Sequence, residues 1–159
     1  MKSKVEKTKN EKLSIFRYMK TIRFSVVIFY KDWKVLLQDR RNLWKDAIEW
    51  WWFGWRKEWD ETPMDTAIRE IKEETNITLS PRDLSYSGKV TKEEVLSAEI
   101  KEWNIFCVLW RDEFDQSFRV LEWAWSEWVT PTEMGTRRIY ETQRVHLSIF
   151  ENFLQSNHA

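Results

Sequence analysis

Residues 54–77 constrain this chain more than any other stretch. They read GWRKEWDETPMDTAIREIKEETNI. At about 100° per residue, the helical repeat places one set of side chains on a single stripe, which we predict to be buried: Met64, Ala67, Ile68, Ile71 and Thr75. Glu70, Glu73 and Glu74 fall together on an adjoining arc, because positions three and four apart are neighbours on a helix.

Local signals predict a helix over residues 62–75. Thr62 suits the N-cap, Pro63 the first helical position, and Asp65 the first turn, where a negative charge is favourable. Asn76 tolerates the left-handed backbone that ends many helices.

Three carboxylates within about one turn repel each other, so the acidic arc needs a positive partner. A hard, oxygen-seeking cation such as Mg²⁺ or Mn²⁺ is the natural candidate. Arg69 lies one turn before Glu73 and can orient it through a charge-assisted bond. The alternative is an ordinary solvated acidic face.

The stretch resembles the signature of the Nudix hydrolases, G-x5-E-x7-R-E-U-x-E-E-x-G-U, where U is aliphatic. The residues that match in register are Glu61, Arg69, Glu70, Ile71, Glu73, Glu74 and Ile77. Trp55 and Asn76 replace the first and the last glycine of the signature, although Gly54 matches the glycine that usually precedes the first. The resemblance implies an α/β fold, the α/β/α sandwich with a mixed β-sheet. It also implies hydrolysis of a nucleoside diphosphate linked to a group X.

The resemblance also implies the roles of individual residues. Mg²⁺ or Mn²⁺ would be held by Glu70, Glu73, Glu74 and the carbonyl of Gly54. Glu61 would support the metal site and the loop, and Arg69 would orient the metal ligands. Glu122 is our choice for a distal catalytic and metal-binding carboxylate, because residues 122–128 resemble a Glu-Gly-x-x-Gly-Glu-Trp segment of the MutT-like branch. An ordinary charge at a strand end is the alternative. The candidates for substrate contacts, for which solvated charge is the alternative, are Arg40, Arg41, Lys57 and Glu58.

Length and composition set the remaining limits. The 159 residues suit one domain, predicted over residues 21–157 behind a charged arm at 1–20. A net charge of zero gives no general attraction to nucleic acid or to anionic membranes, and no apolar stretch reaches the length of a membrane span. The single cysteine, Cys107, suits a reducing cytoplasm and lies in an apolar run, so we expect a buried side chain rather than a nucleophile. The expected partner is a small nucleotide substrate, and a homodimer stays open.

The chain has three glycines where average usage predicts roughly 11, and it has twelve tryptophans. Trp33 follows Asp32 between two predicted strands, where a hairpin favours Asp-Gly. We therefore hypothesise that several tryptophans (Trp33, Trp55, Trp123 and Trp125) stand where the natural protein has glycine. UGA codons that mean glycine but were translated as tryptophan would explain this, and engineering or genuine tryptophans are the alternatives.

Runs of β-branched and aromatic residues predict strands over 21–30, 34–39, 49–53, 77–79, 84–90, 98–110, 118–122 and 127–129. The strand at 98–110 should be central and buried. Residues 42–49 should form a polar loop, 131–134 a turn into a short helix, and 140–155 an amphipathic helix with Val145, Ile149, Phe150, Phe153 and Leu154 on one stripe. The tryptophans at 50–52 and Phe53 could stack a base or simply pack in the core.

The sequence leaves two possible functions open. The first is a metal-dependent pyrophosphohydrolase, with a nucleoside triphosphate or a nucleotide sugar as the default substrate. The second is a catalytically weak Nudix-fold module that binds a nucleotide or a protein, because Trp55 alters the phosphate loop.

Overall fold

The computed structural model describes residues 19–39, 50–58, 60–121, 125–139 and 141–157. The strands in these ranges are β1 Lys20–Lys31, β2 Lys34–Asp39, β3 Trp50–Trp51, β4 Phe53–Arg56, β5 Ser85–Glu94, β6 Glu99–Leu109 and β7 Trp125–Val129. The α-helices are α1 Pro63–Thr75, α2 Asp112–Ser117, α3 Pro131–Thr136 and α4 Glu141–Asn157. Short 3₁₀ turns occupy Pro81–Asp83 and Val95–Ser97. The predicted arm at 1–20 falls almost entirely outside the described residues, and the predicted loop at 42–49 does so completely.

The strands form one mixed sheet in the order β3-β2-β1-β6-β5, with β4 also paired to β1 and β7 to β2. Strands β1 and β6 run parallel from the pair Lys20 and Glu99 to the pair Tyr30 and Leu109. The other pairings are antiparallel. The prediction that β6 is central and buried is confirmed, because it lies between β1 and β5 and is buried from Asn104 to Val108.

Side chains that alternate along the strands supply a core on each face of the sheet. On one face, the strand residues Val27, Phe29, Leu36, Phe53 and Trp55 pack with Ala67 and Ile71 of α1. On the other, Val26, Ile28, Val35 and Leu37 pack with Phe150 and Leu154 of α4. Helices therefore cover both faces, and the predicted α/β/α sandwich is confirmed.

Helix α1 begins and ends where the sequence predicts. The hydroxyl of Thr62 accepts the backbone N–H of Asp65 at 3.1 Å, and the Asp65 carboxylate accepts the N–H of Thr62 at the same distance. Asn76 ends the helix with a φ of 60°. The Ser25 hydroxyl donates to the carbonyl of Pro63 at 2.6 Å, which fixes the start of the helix to β1.

The hairpin between β1 and β2 has the backbone that its sequence suggests. Asp32 and Trp33 both have positive φ, 49° and 61°, as the central residues of a type I′ turn do. Trp33 thus occupies a conformation that favours glycine, and its side chain is 63% exposed.

Trp55 differs from Trp33 in this respect. It lies in β4 opposite Ser25, it is absent from the described non-glycine residues with positive φ, and its side chain is buried. We expected a glycine at position 55 because a loop backbone there would be strained or would have to approach another group closely. Trp55 instead has the regular backbone of a strand, so this reason does not hold. The identity of the natural residue at both positions stays a prediction.

Two predicted strands are wrong. Residues 77–79 are irregular, although Ile77 and Leu79 are buried in the core as an apolar run should be. Residues 118–121 are also irregular, because Arg119 and Leu121 donate their backbone N–H groups to the carbonyls of Thr75 and Glu74 at the end of α1.

Smaller differences concern helices and side chains. Helix α2 was not predicted, and β5 continues through the charged residues as far as Glu94. Val145 is 44% exposed, and the inward positions of α4 instead include Gln143 and His146. None of the helices in the described part of the chain has the length and apolarity that crossing a membrane requires.

Candidate active site

Arg69 lies at the centre of the acidic group on α1. Its Nε and Nη2 donate to the two carboxylate oxygens of Glu61 at 2.7 and 3.0 Å. Its Nη1 donates to Glu70 at 2.7 Å and to Glu73 at 3.3 Å. One guanidinium therefore contacts three of the predicted carboxylates, and the bond to Glu73 is the one that the helical spacing suggests.

Glu61 precedes α1 and is fixed by that helix. Besides Arg69, the Thr66 hydroxyl donates to its carboxylate at 3.0 Å. The hydrogen bonds from Arg69 lower the pKa of Glu61 to about 2, which outweighs the opposite effect of desolvation. Glu61 is therefore ionised throughout the physiological range and joins the loop before α1 to the middle of the helix.

Glu70 and Glu73 differ in their surroundings. Burial raises the pKa of Glu70, and the negative charges of Glu73 and Glu74 raise it further, although Arg69 opposes both effects. The Glu73 side chain is 56% exposed. A positive ion close to both side chains would favour the ionised form of Glu70.

Glu74 points into the protein and is only 2% exposed. Its Oε1 accepts the indole N–H of Trp55 at 2.5 Å, and its Oε2 accepts the side-chain amide of Gln38 at 2.9 Å. The sequence places Glu74 beside Glu70 and Glu73, but the structure places it on the buried face of α1. Neither donor was predicted, although a glutamine in the apolar run VLLQD of β2 was an available signal.

The residue types suit a hard divalent cation, since carboxylate oxygens are the ligands that Mg²⁺ and Mn²⁺ prefer. Within the described ranges, however, no three acidic, histidine or cysteine side chains are grouped as one metal site requires. Glu70 and Glu73 contact Arg69, whereas Glu74 contacts β2 and β4. Gly54 lies in β4 opposite Val26, and the role of its carbonyl as a ligand stays a prediction.

The other predicted site residues divide into two groups. Lys57 and Glu58 lie in the loop before α1, where the N–H of Lys57 donates to the carbonyl of Arg23 and the carbonyl of Glu58 accepts the N–H of Glu61. The Glu58 side chain is exposed and that of Lys57 is half-buried, so both can meet a ligand. The remaining candidates, Arg40, Arg41 and Glu122, lie outside the described residues.

The aromatic side chains before the site belong to the core. Trp50, Trp52 and Phe53 are at most 3% exposed, which favours packing over the stacking of a base. Cys107 is buried too, and burial raises the pKa of its thiol to about 12, as expected for a packing residue rather than a nucleophile.

The chain matches a known protein family. Residues 19–152 match the family described as the NUDIX domain. No match was found among curated protein sequences.

Solved structures share the fold at low sequence identity. The ORF135 protein of E. coli superposes with a TM-score of 0.70 at 22% identity, over 87% of this chain and 94% of that one. A MutT NUDIX hydrolase from Burkholderia pseudomallei has a TM-score of 0.64 at 18% identity, over 81% and 97%. The dihydroneopterin triphosphate pyrophosphohydrolase of E. coli has a TM-score of 0.60 at 18% identity, over 84% and 96%.

Proposed function

The chain belongs to the Nudix family, and on that basis we propose that it hydrolyses the pyrophosphate linkage of a nucleoside diphosphate joined to a group X. The products would be a nucleoside monophosphate and either phosphate-X or pyrophosphate. A nucleoside triphosphate or a nucleotide sugar is the proposed substrate. A similar E. coli protein is named a pyrophosphohydrolase of dihydroneopterin triphosphate, which supports cleavage of a pyrophosphate linkage and does not favour a nucleoside.

The observation that carries the proposal is the contact of one arginine with three carboxylates. Arg69 contacts Glu61, Glu70 and Glu73 within 3.3 Å, and Glu74 lies one residue further along α1. Arg69 thus holds Glu61, Glu70 and Glu73 in fixed positions, whereas Gln38 and Trp55 hold Glu74. A merely solvated acidic face would not require a partly buried arginine that fixes the carboxylates to one another.

We propose that Mg²⁺ or Mn²⁺ would be held by Glu70, Glu73 and Glu74, together with the carbonyl of Gly54 and with Glu122. A bound divalent cation neutralises phosphate oxygens and lowers the pKa of a coordinated water. Glu122 is included because residues 122–128 resemble a Glu-Gly-x-x-Gly-Glu-Trp segment of the MutT-like branch.

The remaining roles follow from the contacts of each residue. Arg69 and Glu61 would keep the acidic side chains and the loop before α1 in place, because phosphoryl transfer depends on positioning and on charge stabilisation. Lys57, Glu58, Arg40 and Arg41 would contact the substrate. The chain would act in the cytoplasm, where its single buried thiol stays reduced.

The test is hydrolysis of nucleoside triphosphates and nucleotide sugars with and without Mg²⁺. We expect Glu73→Gln to reduce turnover by about 100-fold or more, because a ligand of the cation loses its charge. The thermal midpoint should barely change, because the Glu73 side chain is 56% exposed. Glu151→Gln, which changes an exposed glutamate on α4, is the matched control and should retain full activity.

The alternative is a nucleotide- or protein-binding module with weak catalysis. One observation favours it, because the indole of Trp55 already donates to an oxygen of Glu74, one of the proposed ligands. Binding of a nucleotide without metal-stimulated product release would support this alternative. Turnover at ordinary enzyme rates would exclude it.

A further inference from the structure

Strand β5 forms one edge of the sheet. It pairs with β6 from Ser85 to Glu94, and no second strand pairs with it in the part of the chain that the structure describes. The strand has ten residues, whereas natural proteins often keep edge strands very short. A bulge between Tyr86 and Gly88 leaves residues 88–94 as its regular part. The backbone N–H and C=O groups on the outer side of β5 are therefore open to pairing with another extended chain.

Symmetry limits how two copies of this strand can pair. Side chains that lie opposite each other in an antiparallel pair project from the same face of the sheet, and they alternate along each strand. Two copies related by a two-fold axis therefore pair about a single residue, which lies opposite itself. A charged residue in that position would face its own charge, which excludes Lys89, Lys92, Glu93 and Glu94.

Pairing about Thr91 sets opposite charges against each other. Lys89 of each copy then lies opposite Glu93 of the other copy, so this favourable pair forms twice. Of the uncharged residues at 88–94, Thr91 alone gives this result. The Lys89 side chain is 47% exposed and contacts Glu102 of its own chain at 3.2 Å. An ammonium group has three donors, so Lys89 can bind both carboxylates.

The exposed apolar side chains of this edge are arranged about the same residue. Tyr86 lies five residues before Thr91 and is 56% exposed, and Leu96 lies five residues after it and is fully exposed. Val95, next to Leu96, is 66% exposed. Pairing about Thr91 brings Tyr86 of each copy towards the turn Val95–Ser97 of the other copy, where burial of apolar surface favours association.

We propose that β5 is the interface of a homodimer, in which two copies pair in antiparallel orientation about Thr91 and continue the sheet from one subunit into the other. An open edge accepts any extended segment, but the charges and the apolar ends of β5 complement a second copy of β5 itself. Lysines on an edge usually discourage pairing, whereas here a glutamate of the second copy lies opposite Lys89. The inference does not depend on the proposed function.

The first test is the mass of the protein in solution, measured by analytical ultracentrifugation up to millimolar concentration. We expect twice the chain mass at high concentration and the chain mass on dilution. Glu93→Lys places two lysines opposite each other and should weaken dimerisation by about 10-fold or more. Glu151→Lys, which makes the same change on an exposed part of α4, is the matched control. A monomer at every concentration, or equal losses in both variants, would overturn the inference.

A mixture of two variants tests the pairing of the charges. Lys89→Glu and Glu93→Lys should each fail to form a dimer alone, because like charges then face each other. Mixed together they should form a heterodimer, because each lysine again lies opposite a glutamate. Circular dichroism shows whether both variants are folded. A mixture of folded variants that stays monomeric would overturn the proposed register.

A cysteine at the symmetry axis tests the same register without a change of charge. Opposite residues of antiparallel strands have Cα atoms about 4.5–5.5 Å apart, a distance that a disulfide bridges. Thr91→Cys should therefore form a disulfide-linked dimer under mild oxidation, and the buried Cys107 should not react. Ser97→Cys, at an exposed position far from the axis, is the matched control and should remain unlinked. Equal linking in both variants, or none in Thr91→Cys, would overturn the inference.

Discussion

Arg69 donates two hydrogen bonds to the carboxylate of Glu61, one to each oxygen, at 2.7 and 3.0 Å. The planar guanidinium matches the carboxylate in a way that a lysine ammonium cannot. This pair joins the loop before α1 to the helix that carries the other site residues. The third nitrogen of the guanidinium, Nη1, donates to Glu70 and to Glu73.

Arg69→Lys should therefore reduce the catalytic efficiency by about 10–100-fold while the protein remains folded. The charge is kept, but the paired geometry is lost. The measurement is kcat/KM for the best substrate, together with a circular dichroism spectrum. Arg111→Lys is the matched control, because Arg111 pairs with Asp83 and Glu113 at 3.0 Å outside the site. Full activity of Arg69→Lys would show that the paired contact has no role.

Trp33→Gly should stabilise the protein by about 1 kcal/mol, because a side chain at positive φ is strained and glycine is not. The φ of 61° at Trp33 is the basis of this expectation. Trp33→Ala removes the indole but keeps a Cβ, so it should gain at most a few tenths of a kcal/mol. Urea denaturation of the three proteins is the measurement. A stability of Trp33→Gly equal to or below that of Trp33→Ala would contradict the backbone explanation.

Position 33 also bears on the hypothesis that several tryptophans stand in place of glycine. If several of them stand where the natural protein has glycine, the intact mass of the protein from its native source will be lower by one tryptophan-to-glycine difference for each. A native mass that fits all twelve tryptophans would reject the recoding hypothesis. The gene offers a second check, since UGG codons at positions 33, 55 and 123 would reject it too.

His146 should make the protein less stable in mild acid. It is 3% exposed, its ring lies 6.0 Å from that of Trp103, and neither ring nitrogen has a hydrogen-bond partner among the described residues. Burial lowers its pKa to about 4 from the ordinary value of 6.5. The unfolded chain therefore binds a proton between these two pH values while the folded protein does not.

As the pH falls from about 6.5 to about 4, this difference should remove up to roughly 3 kcal/mol of stability, and above 6.5 it should have no effect. His146→Leu should remove most of the decline between these pH values. His158→Ala, at the other histidine of the chain, should keep it. Chemical denaturation at a series of pH values measures both variants. The same slope in His146→Leu as in the unaltered protein would contradict this assignment.

The parts of the structure that follow local rules could be predicted from the sequence. Both ends of α1 depend on side chains within a few residues, namely Thr62, Asp65 and Asn76, and both were predicted correctly. The turn at Asp32 and Trp33 is equally local. The contacts of Arg69 with Glu70 and Glu73 lie within about one helical turn, so the spacing alone suggests them.

The surroundings of Glu74 could not be predicted in the same way. Gln38 and Trp55 lie 36 and 19 residues before it in the sequence, and only the packing of α1 on the sheet brings them together. Tertiary contacts likewise decide residues 118–121, whose amides pair with carbonyls at the end of α1 rather than with a strand. The helical repeat places Glu74 on an acidic arc, but that arc partly faces the core, and only the structure reveals this.

We propose that this chain cleaves a pyrophosphate linkage with the help of a divalent cation, and ³¹P NMR of a nucleoside triphosphate incubated with the protein is the decisive measurement. With Mg²⁺, we expect signals of a nucleoside monophosphate and pyrophosphate, no signals from a nucleoside diphosphate, and no reaction once the cation is chelated. Release of a nucleoside diphosphate and orthophosphate, or an unchanged spectrum with every nucleoside triphosphate and nucleotide sugar tried, would contradict it.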